Sequence, residues 1–290
     1  MSAPKDAADY VRQYEQLVLS ARSLPDPQPA SARPAVGAAA PVCVVLSPHP
    51  DDEVLQGGLA LRLARERGWR VVNLAVTLGS NKARQLARAG ELERACAALG
   101  FDSRVLGGGG LQPVSLVARQ TDVAHWANSV KLLARELSEL RPALVLCPHD
   151  GDAQPAHAGT HALLVDALVA LGSGFRCLLA WHEYWSTMAQ PNLLVQLSAD
   201  HAGMLVNALM HHRGEIARNP YHLSLPAWLH DNVRRAGERV AGAGMSVPDW
   251  TFGVPCDIQQ WGGRLARPVW SGGRLWGLTQ TCPLPVPREA

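Results

Sequence analysis

The sequence lacks long apolar runs. Apolar residues make up 47% of the 290-residue chain, yet no window approaches the roughly 20 apolar residues that a membrane span requires. Lys5, Asp6 and Asp9 place charges where a secretory signal peptide needs an uninterrupted apolar stretch. We therefore expect a cytoplasmic protein with no membrane span, whose apolar residues form a substantial core.

The sequence also has no large excess of basic over acidic residues, or of acidic over basic residues. The chain has 27 basic and 25 acidic residues, a formal net charge of +2, and its Lys and Arg residues are spread along the chain. This distribution provides no broad basic surface, so nucleic acid is not expected as a partner. The expected partner is a small-molecule substrate, and a homo-oligomer is left open.

Closely spaced cysteine pairs are absent as well. The six cysteines lie far apart and form no C-x-x-C pair, which argues against a cysteine zinc site and against a dense disulfide framework. Cys43 and Cys147 stand inside apolar runs. We interpret them as small buried hydrophobic residues rather than catalytic thiolates.

Short β-branched runs alternate with helical patterns in the middle of the chain. The run at 42–47 ends close to His49, and leucines at four-residue spacing then lead to Gly68. Further strand-like runs lie at 71–76, 103–107, 143–149, 175–185 and 193–198, and further helical patterns at 84–99, 123–140, after His157 and at 199–216. The alternation predicts an α/β fold with a Rossmann-like, open, mainly parallel sheet and helices on both faces. Ligands of such sheets bind beyond the carboxyl ends of the strands.

Composition divides the chain into three parts. Residues 1–40 predict an N-terminal helix followed by an extended connector rich in Pro, Ala and Ser. Residues 41–218 form the predicted α/β body. Residues 219–290 contain five of the nine tryptophans with many Gly and Pro residues, which predicts an irregular C-terminal extension that packs on the body or covers the site.

The first candidate functional motif is the segment 49–53, His-Pro-Asp-Asp-Glu, at a predicted strand-to-helix turn. The imidazole of His49 and the carboxylate of Asp52 are able to converge there on one metal ion. Asp51, adjacent but not a ligand, is then free to take a proton from water. Glu53 is interpreted as an acid of the first helical turn, favoured by the helix dipole. The alternative for the whole motif is a charged loop with an N-cap aspartate.

The second motif is a polar cluster at 148–161 that ends another buried strand and leads into a helix. His157 and His161 are four residues apart and share a helix face, a spacing that allows two imidazoles to bind one ion. We interpret His161 as structural and His157, at the start of the helix, as a ligand. The sequence thus predicts a divalent-metal site formed by His49, Asp52 and His157.

Over roughly residues 41–215 the chain resembles the PIG-L/LmbE-like family of N-acetylglucosaminide deacetylases. The family's first motif is the segment 49–53 followed by two glycines, here Gly57 and Gly58. The resemblance implies a zinc-dependent N-deacetylase, an amide hydrolase that acts on an amino sugar or glycoconjugate. It implies zinc ligands at His49, Asp52 and His157, with Asp51 as general base. Another divalent transition metal accepts the same nitrogen and oxygen ligands.

Two further segments compare less simply with the family. The family's H-P-D-H motif corresponds to the segment 154–157, in which Gln154 replaces the first histidine, expected to stabilise the oxyanion. The oxyanion group is therefore left open among Gln154, His149, His161 and His182. Residues 88–92 resemble the family's R-x-x-E-L segment, which implies that Arg88 contacts the sugar; the alternative is an exposed helical charge paired with Glu91.

Two other functions stay open on the sequence. One is a metal hydrolase of a different small-molecule amide, because the motif constrains the chemistry more than the leaving group. The other is a ligand-binding module on the same scaffold without catalysis. The altered second motif favours the binding module, whereas the retained Asp51 argues against it.

Overall fold

The computed structural model describes residues 3–29, 36–242 and 244–285. Its strands are β1 (Val42–Ser47), β2 (Arg70–Ala75), β3 (Asp102–Val105), β4 (Leu144–Pro148), β5 (Cys177–His182), β6 (Leu193–Leu197), β7 (Phe252–Trp261), β8 (Ala266–Pro268) and β9 (Arg274–Trp276). Its α-helices are α1 (Ala7–Ser20), α2 (Asp52–Leu55), α3 (Gly58–Arg67), α4 (Gln85–Leu99), α5 (Leu116–Thr121), α6 (Val123–Leu140), α7 (Pro155–Ala170), α8 (Ala199–Leu209), α9 (Arg213–Ile216) and α10 (Tyr221–Ala241).

The strands form one mixed sheet in the order β3-β2-β1-β4-β5-β7-β6-β9, with β8 paired to β7. The five strands from β3 to β5 in this order are parallel, which confirms the predicted α/β fold. Val44 of β1 pairs with Val72 on one side and Val145 on the other. The chain passes from the β3 edge back to β4, so the topological switch point lies between β1 and β4.

Both faces of the sheet are covered. In β1, Cys43 and Val45 belong to one buried cluster, while Val44 and Leu46 belong to the other. The first cluster takes its helical side chains mainly from α3, α4 and α8, and the second from α6 and α7. Because both faces of β1 are buried, its sequence is apolar from Val42 to Leu46 rather than alternating with polar residues.

The C-terminal extension is more regular than the sequence predicts. Strand β7 lies inside the sheet, antiparallel to both β5 and β6, and α10 packs against it. Gly253 and Pro255 within β7 weaken the strand pattern in the sequence, and its partners are distant in the chain. The predicted boundary near residue 218 stays a prediction.

Helix α1 lies outside the core. Its N-cap residue Asp6 accepts a hydrogen bond from the backbone N–H of Asp9 at 2.7 Å, and none of its residues is buried. The part of the predicted connector at 30–35 lies outside the described residues. Among the helices of the described ranges, none is long and apolar enough to cross a membrane.

Candidate active site

Three predicted ligands converge at the switch point of the sheet. One ring nitrogen each of His49 and His157 and one carboxylate oxygen of Asp52 lie within 4.8 Å of one another. Asp52 Oδ2 is 3.3 Å from His49 Nδ1 and 3.2 Å from His157 Nε2. A tetrahedral site with bonds of roughly 2.0–2.2 Å separates its ligand atoms by about 3.3–3.6 Å. The donor set fits a catalytic zinc or a similar divalent ion, and the two separations from Asp52 Oδ2 are close to this range.

Asp51 occupies a strained turn between β1 and α2. Its φ of 113° lies in the left-handed region, where a residue other than glycine is rare. Its carbonyl accepts hydrogen bonds from the N–H groups of Val54 at 3.0 Å and Leu55 at 3.1 Å. Its own N–H donates to Glu53 Oε2 at 2.9 Å. The conformation of Asp51 is thus fixed on both sides of its Cα atom.

Glu53 has a contact that the sequence interpretation misses. It lies in the first turn of α2, as expected, but its side chain is fully buried, and Oε1 is 2.6 Å from His212 Nε2. Burial opposes protonation of His212, but the Glu53 carboxylate outweighs burial and raises the pKa of His212 above its usual value. This ion pair anchors the carboxylate that holds Asp51. No sequence motif predicts this contact, because Glu53 and His212 are 159 residues apart.

His157 is oriented by the turn that begins α7. Gln154 is the N-cap residue, and its Oε1 accepts hydrogen bonds from the N–H groups of Ala156 and His157. Asp152 Oδ2 lies 3.3 Å from His157 Nδ1, so Nε2 of the ring faces Asp52. A carboxylate behind a metal-binding imidazole fixes the ring's tautomer and orientation. Asp152 was not predicted as a site residue, although it lies only five residues before His157 in the sequence.

The buried charges depend on one another. Burial alone lowers the pKa of His157, but the carboxylates of Asp52 and Asp152 raise it to about 10. Burial alone raises the pKa of Asp52, but His157 and His49 hold it well below its usual range. Burial, followed by the charge of Asp52, raises the pKa of Asp51 well above its usual value. The two adjacent aspartates therefore have opposite protonation tendencies.

The site opens into a cavity of about 200 Å³ that Asp51 and the three clustered residues line. Arg88 lies in the same cavity and donates from Nη2 to the carbonyl oxygen of Pro50 at 2.7 Å. The same nitrogen is 3.6 Å from Asp51 Oδ1 and 3.6 Å from Glu215 Oε1. Gly79 permits this position, because a Cβ there would lie 2.2 Å from Arg88 Nη1.

The exposed pairing considered for Arg88 differs from its observed contacts. Only 11% of the Arg88 side chain is exposed, and Oε1 of Glu91 instead accepts a hydrogen bond from the N–H of Gly214 at 3.0 Å. Arg88 is therefore a cavity residue. Its contact with a sugar stays a prediction.

Other cavity residues were not predicted from the sequence, among them Tyr184, Trp185, Glu215, Arg218 and Tyr221. They come from the loop after β5 and from the segment around α9, and they share no motif. Glu215 Oε1 is 2.9 Å from Arg84, and Oε2 is 2.6 Å from Arg218. These ion pairs link α9 to the cavity wall.

The four candidates for the oxyanion group occupy different places. Gln154 lines the cavity of Asp51, and its Nε2 lies 3.5 Å from His49 Nε2. His149 and His161 line a separate cavity of about 460 Å³. His182 is 3% exposed, and in the described part of the chain neither ring nitrogen has a hydrogen-bond partner. Burial lowers the pKa of His182 to about 3, so it is neutral near pH 7.

Comparison with known proteins gives one family match and several structural neighbours. Residues 44–168 match the PIG-L family model, described as GlcNAc-PI de-N-acetylase. A 1D-myo-inositol 2-acetamido-2-deoxy-alpha-D-glucopyranoside deacetylase of Frankia alni is 36% identical over 148 residues, covering 41% of this chain and 51% of that protein. The chain thus spans about half the length of this relative.

Two solved structures share the fold. A conserved protein from Thermus thermophilus aligns with a TM-score of 0.57 and 23% identity, over 75% of this chain and 93% of that one. N,N'-diacetylchitobiose deacetylase from Pyrococcus horikoshii aligns with a TM-score of 0.56 and 16% identity, over 89% of this chain and 95% of that one. At these identities the likeness shows the fold alone. The match of residues 44–168 to the PIG-L family model confirms the resemblance inferred from the first motif.

Proposed function

We propose that this chain is a metal-dependent hydrolase that removes an N-acyl group, acetyl in the first instance, from an amino sugar or glycoconjugate. The observation that supports it most directly is the convergence of His49, Asp52 and His157 within 4.8 Å, with the further carboxylate of Asp51 in the same cavity. The family match and the names of the relatives agree with amide hydrolysis on an acetylated amino sugar.

His49, Asp52 and His157 would hold the metal, zinc or another divalent transition ion. When bound there, such an ion supplies Lewis-acid activation of water and of the substrate carbonyl. Three protein ligands leave coordination open, as catalytic rather than structural zinc sites do. Asp152 keeps the His157 ring in the orientation that presents Nε2.

Asp51 is the proposed general base. It lines the cavity beside the proposed ligand Asp52, and its backbone N–H donates a hydrogen bond to Glu53. In this role Asp51 takes a proton from the attacking water and returns it to the departing amine. Arg88, at 3.6 Å from Asp51 Oδ1, helps to orient the carboxylate.

Gln154 is the proposed oxyanion donor. Its Oε1 is occupied by the N–H groups at the start of α7, so the amide nitrogen is the end that remains for the cavity. A neutral amide replaces the cationic histidine that the family resemblance implies. Because hydrogen bonds from charged donors are stronger, Gln154 would stabilise the oxyanion less than a cationic histidine in its place.

The proposal is tested by Asp51→Asn. We expect the release of amine from N-acetylglucosamine compounds to fall by about 10²–10⁴-fold, with metal content unchanged by atomic absorption. Asp150→Asn is the matched control, since its side chain is 86% exposed and is expected to leave turnover unchanged. Near-normal activity of Asp51→Asn would exclude Asp51 as the base.

The same measurements separate the alternatives. Turnover of other small-molecule amides, with none of N-acetylglucosamine compounds, would identify a different leaving group. A metal-free protein inactive on every amide would support the ligand-binding module. A cytoplasmic location and a homo-oligomer stay predictions from the sequence.

A further inference from the structure

The cavity of the candidate active site is too small for an extended substrate. Its volume of about 200 Å³ is below the roughly 300–1,000 Å³ typical of small-molecule sites. If the cavity holds the amino sugar, as the proposed function requires, whatever is attached to that sugar lies at the mouth. The side chains at the mouth then decide which attached group is recognised.

Trp185 is the main apolar side chain at that mouth. It lines the cavity, yet it is 55% exposed, an unusual state for the largest apolar side chain. Its ring meets Tyr184 edge to face at a centroid distance of 5.9 Å. Tyr184 in turn contacts Tyr221 and Trp228, so Trp185 is the outermost ring of a packed aromatic wall.

The loop that carries Trp185 is fixed at several points. The Ser186 carbonyl oxygen is 2.9 Å from His149 Nε2, and Ser186 Oγ accepts a hydrogen bond from the N–H of Ala153 at 3.0 Å. Glu183 Oε1 accepts a charged hydrogen bond from Arg235. Trp185 is therefore presented at the mouth by a braced loop, and little conformational freedom is lost when its ring face is covered.

We propose that Trp185 is a specificity-determining residue whose indole face stacks on a six-membered ring attached to the amino sugar. A pyranose and an aryl ring share the required chemistry, a flat apolar face. A methyl group in the same place lacks that face. The inference rests on the proposed function for the occupant of the inner cavity, but its own content is the ring at the mouth.

The test measures the binding of amine products, so it does not depend on turnover. Isothermal titration calorimetry compares methyl, phenyl and pyranosyl glycosides of glucosamine on the wild-type chain and on Trp185→Ala. We expect the wild type to bind the two ring-bearing glycosides more tightly than the methyl glycoside. Trp185→Ala is expected to weaken their binding by about 3- to 10-fold and to leave the methyl glycoside within about twofold.

Two control variants sharpen the comparison. Trp185→Phe keeps a ring face and is expected to retain most of the preference. Leu265→Ala, at an exposed residue of the separate cavity, is expected to change nothing. A stronger effect on one ring-bearing ligand identifies a pyranose or an aryl group as the preferred neighbour.

The inference is overturned if Trp185→Ala affects all three glycosides equally, if it affects none, or if none binds to the wild type. Failure of the proposed function gives a different result. Ring-selective binding without amide turnover refutes the hydrolase alone, whereas turnover with unchanged ligand preference in Trp185→Ala refutes the role of Trp185 alone.

Discussion

The carboxylate of Asp152 supports the ring of the proposed ligand His157. Its carboxylate lies 3.3 Å from His157 Nδ1 and is itself unexposed. We expect Asp152→Asn to weaken metal binding by about 10- to 100-fold, because the ring loses the charge that orients it. Competition with a chromophoric chelator measures the affinity. Asp150→Asn is the control, and equal affinities in the two variants would contradict the role of Asp152.

Some residues of the site were predictable from local sequence patterns, and others were not because their partners are distant in the chain. The proximity of His49, Asp52 and His157 was predictable because their segments follow β1 and β4, and the carboxyl ends of parallel strands meet at one edge of a sheet. The partner of Glu53 is His212, which is brought to it only by the packing of distant helices. Tyr184 and Trp185 lie within the predicted strand-like run 175–185, whereas β5 ends at His182, and nothing in the local sequence pattern marks the two residues as cavity residues.

Helix α7 carries His157, and its placement depends on a close approach to the segment before α5. A Cβ on Gly159 would lie 2.6 Å from the backbone N and Cα atoms of Ser115. We expect Gly159→Ala to lower the free energy of unfolding by about 1–3 kcal/mol, and metal affinity to fall because the helix must shift. Urea denaturation and metal titration measure the two effects.

Gly203 in α8 provides the matched control for this change. It is also a helical glycine, but a Cβ there would meet nothing within 4 Å. Gly203→Ala is therefore expected to raise the free energy of unfolding by up to about 1 kcal/mol. If both substitutions had the same effect, helix propensity rather than the contact with Ser115 would explain Gly159.

A strand of the sheet was predictable where its own sequence is sufficient to indicate a strand. The predicted strand at 42–47 coincides with β1, since its apolar run is bounded by a proline on each side. The regularity of β7 was not predicted, because it is determined by pairing with β5 and β6 rather than by its own composition. Pro255 sits opposite Leu194 inside that ladder, where strand propensity alone disfavours it.

For the molecule as a whole, the two terminal parts differ in their expected contribution to stability. Deletion of residues 1–24 removes α1, which buries no residue, and is expected to shift Tm by less than about 3 °C. A chain that ends at residue 218 loses β7, β8 and β9, and with them the partners of β6. We expect this chain to show no cooperative thermal unfolding by circular dichroism. Cooperative unfolding of the shorter chain would instead support an independent domain ending near residue 218.

The position of β7 also has a consequence for biosynthesis. A ribosome that has translated β6, which ends at Leu197, has not yet produced either of its neighbours, since β7 begins at Phe252 and β9 at Arg274. The five parallel strands are available for assembly well before the rest of the sheet. Until the last part of the chain emerges, the nascent protein exposes the apolar β6 segment and the open edge of β5, and this interval is its period of greatest exposure to aggregation.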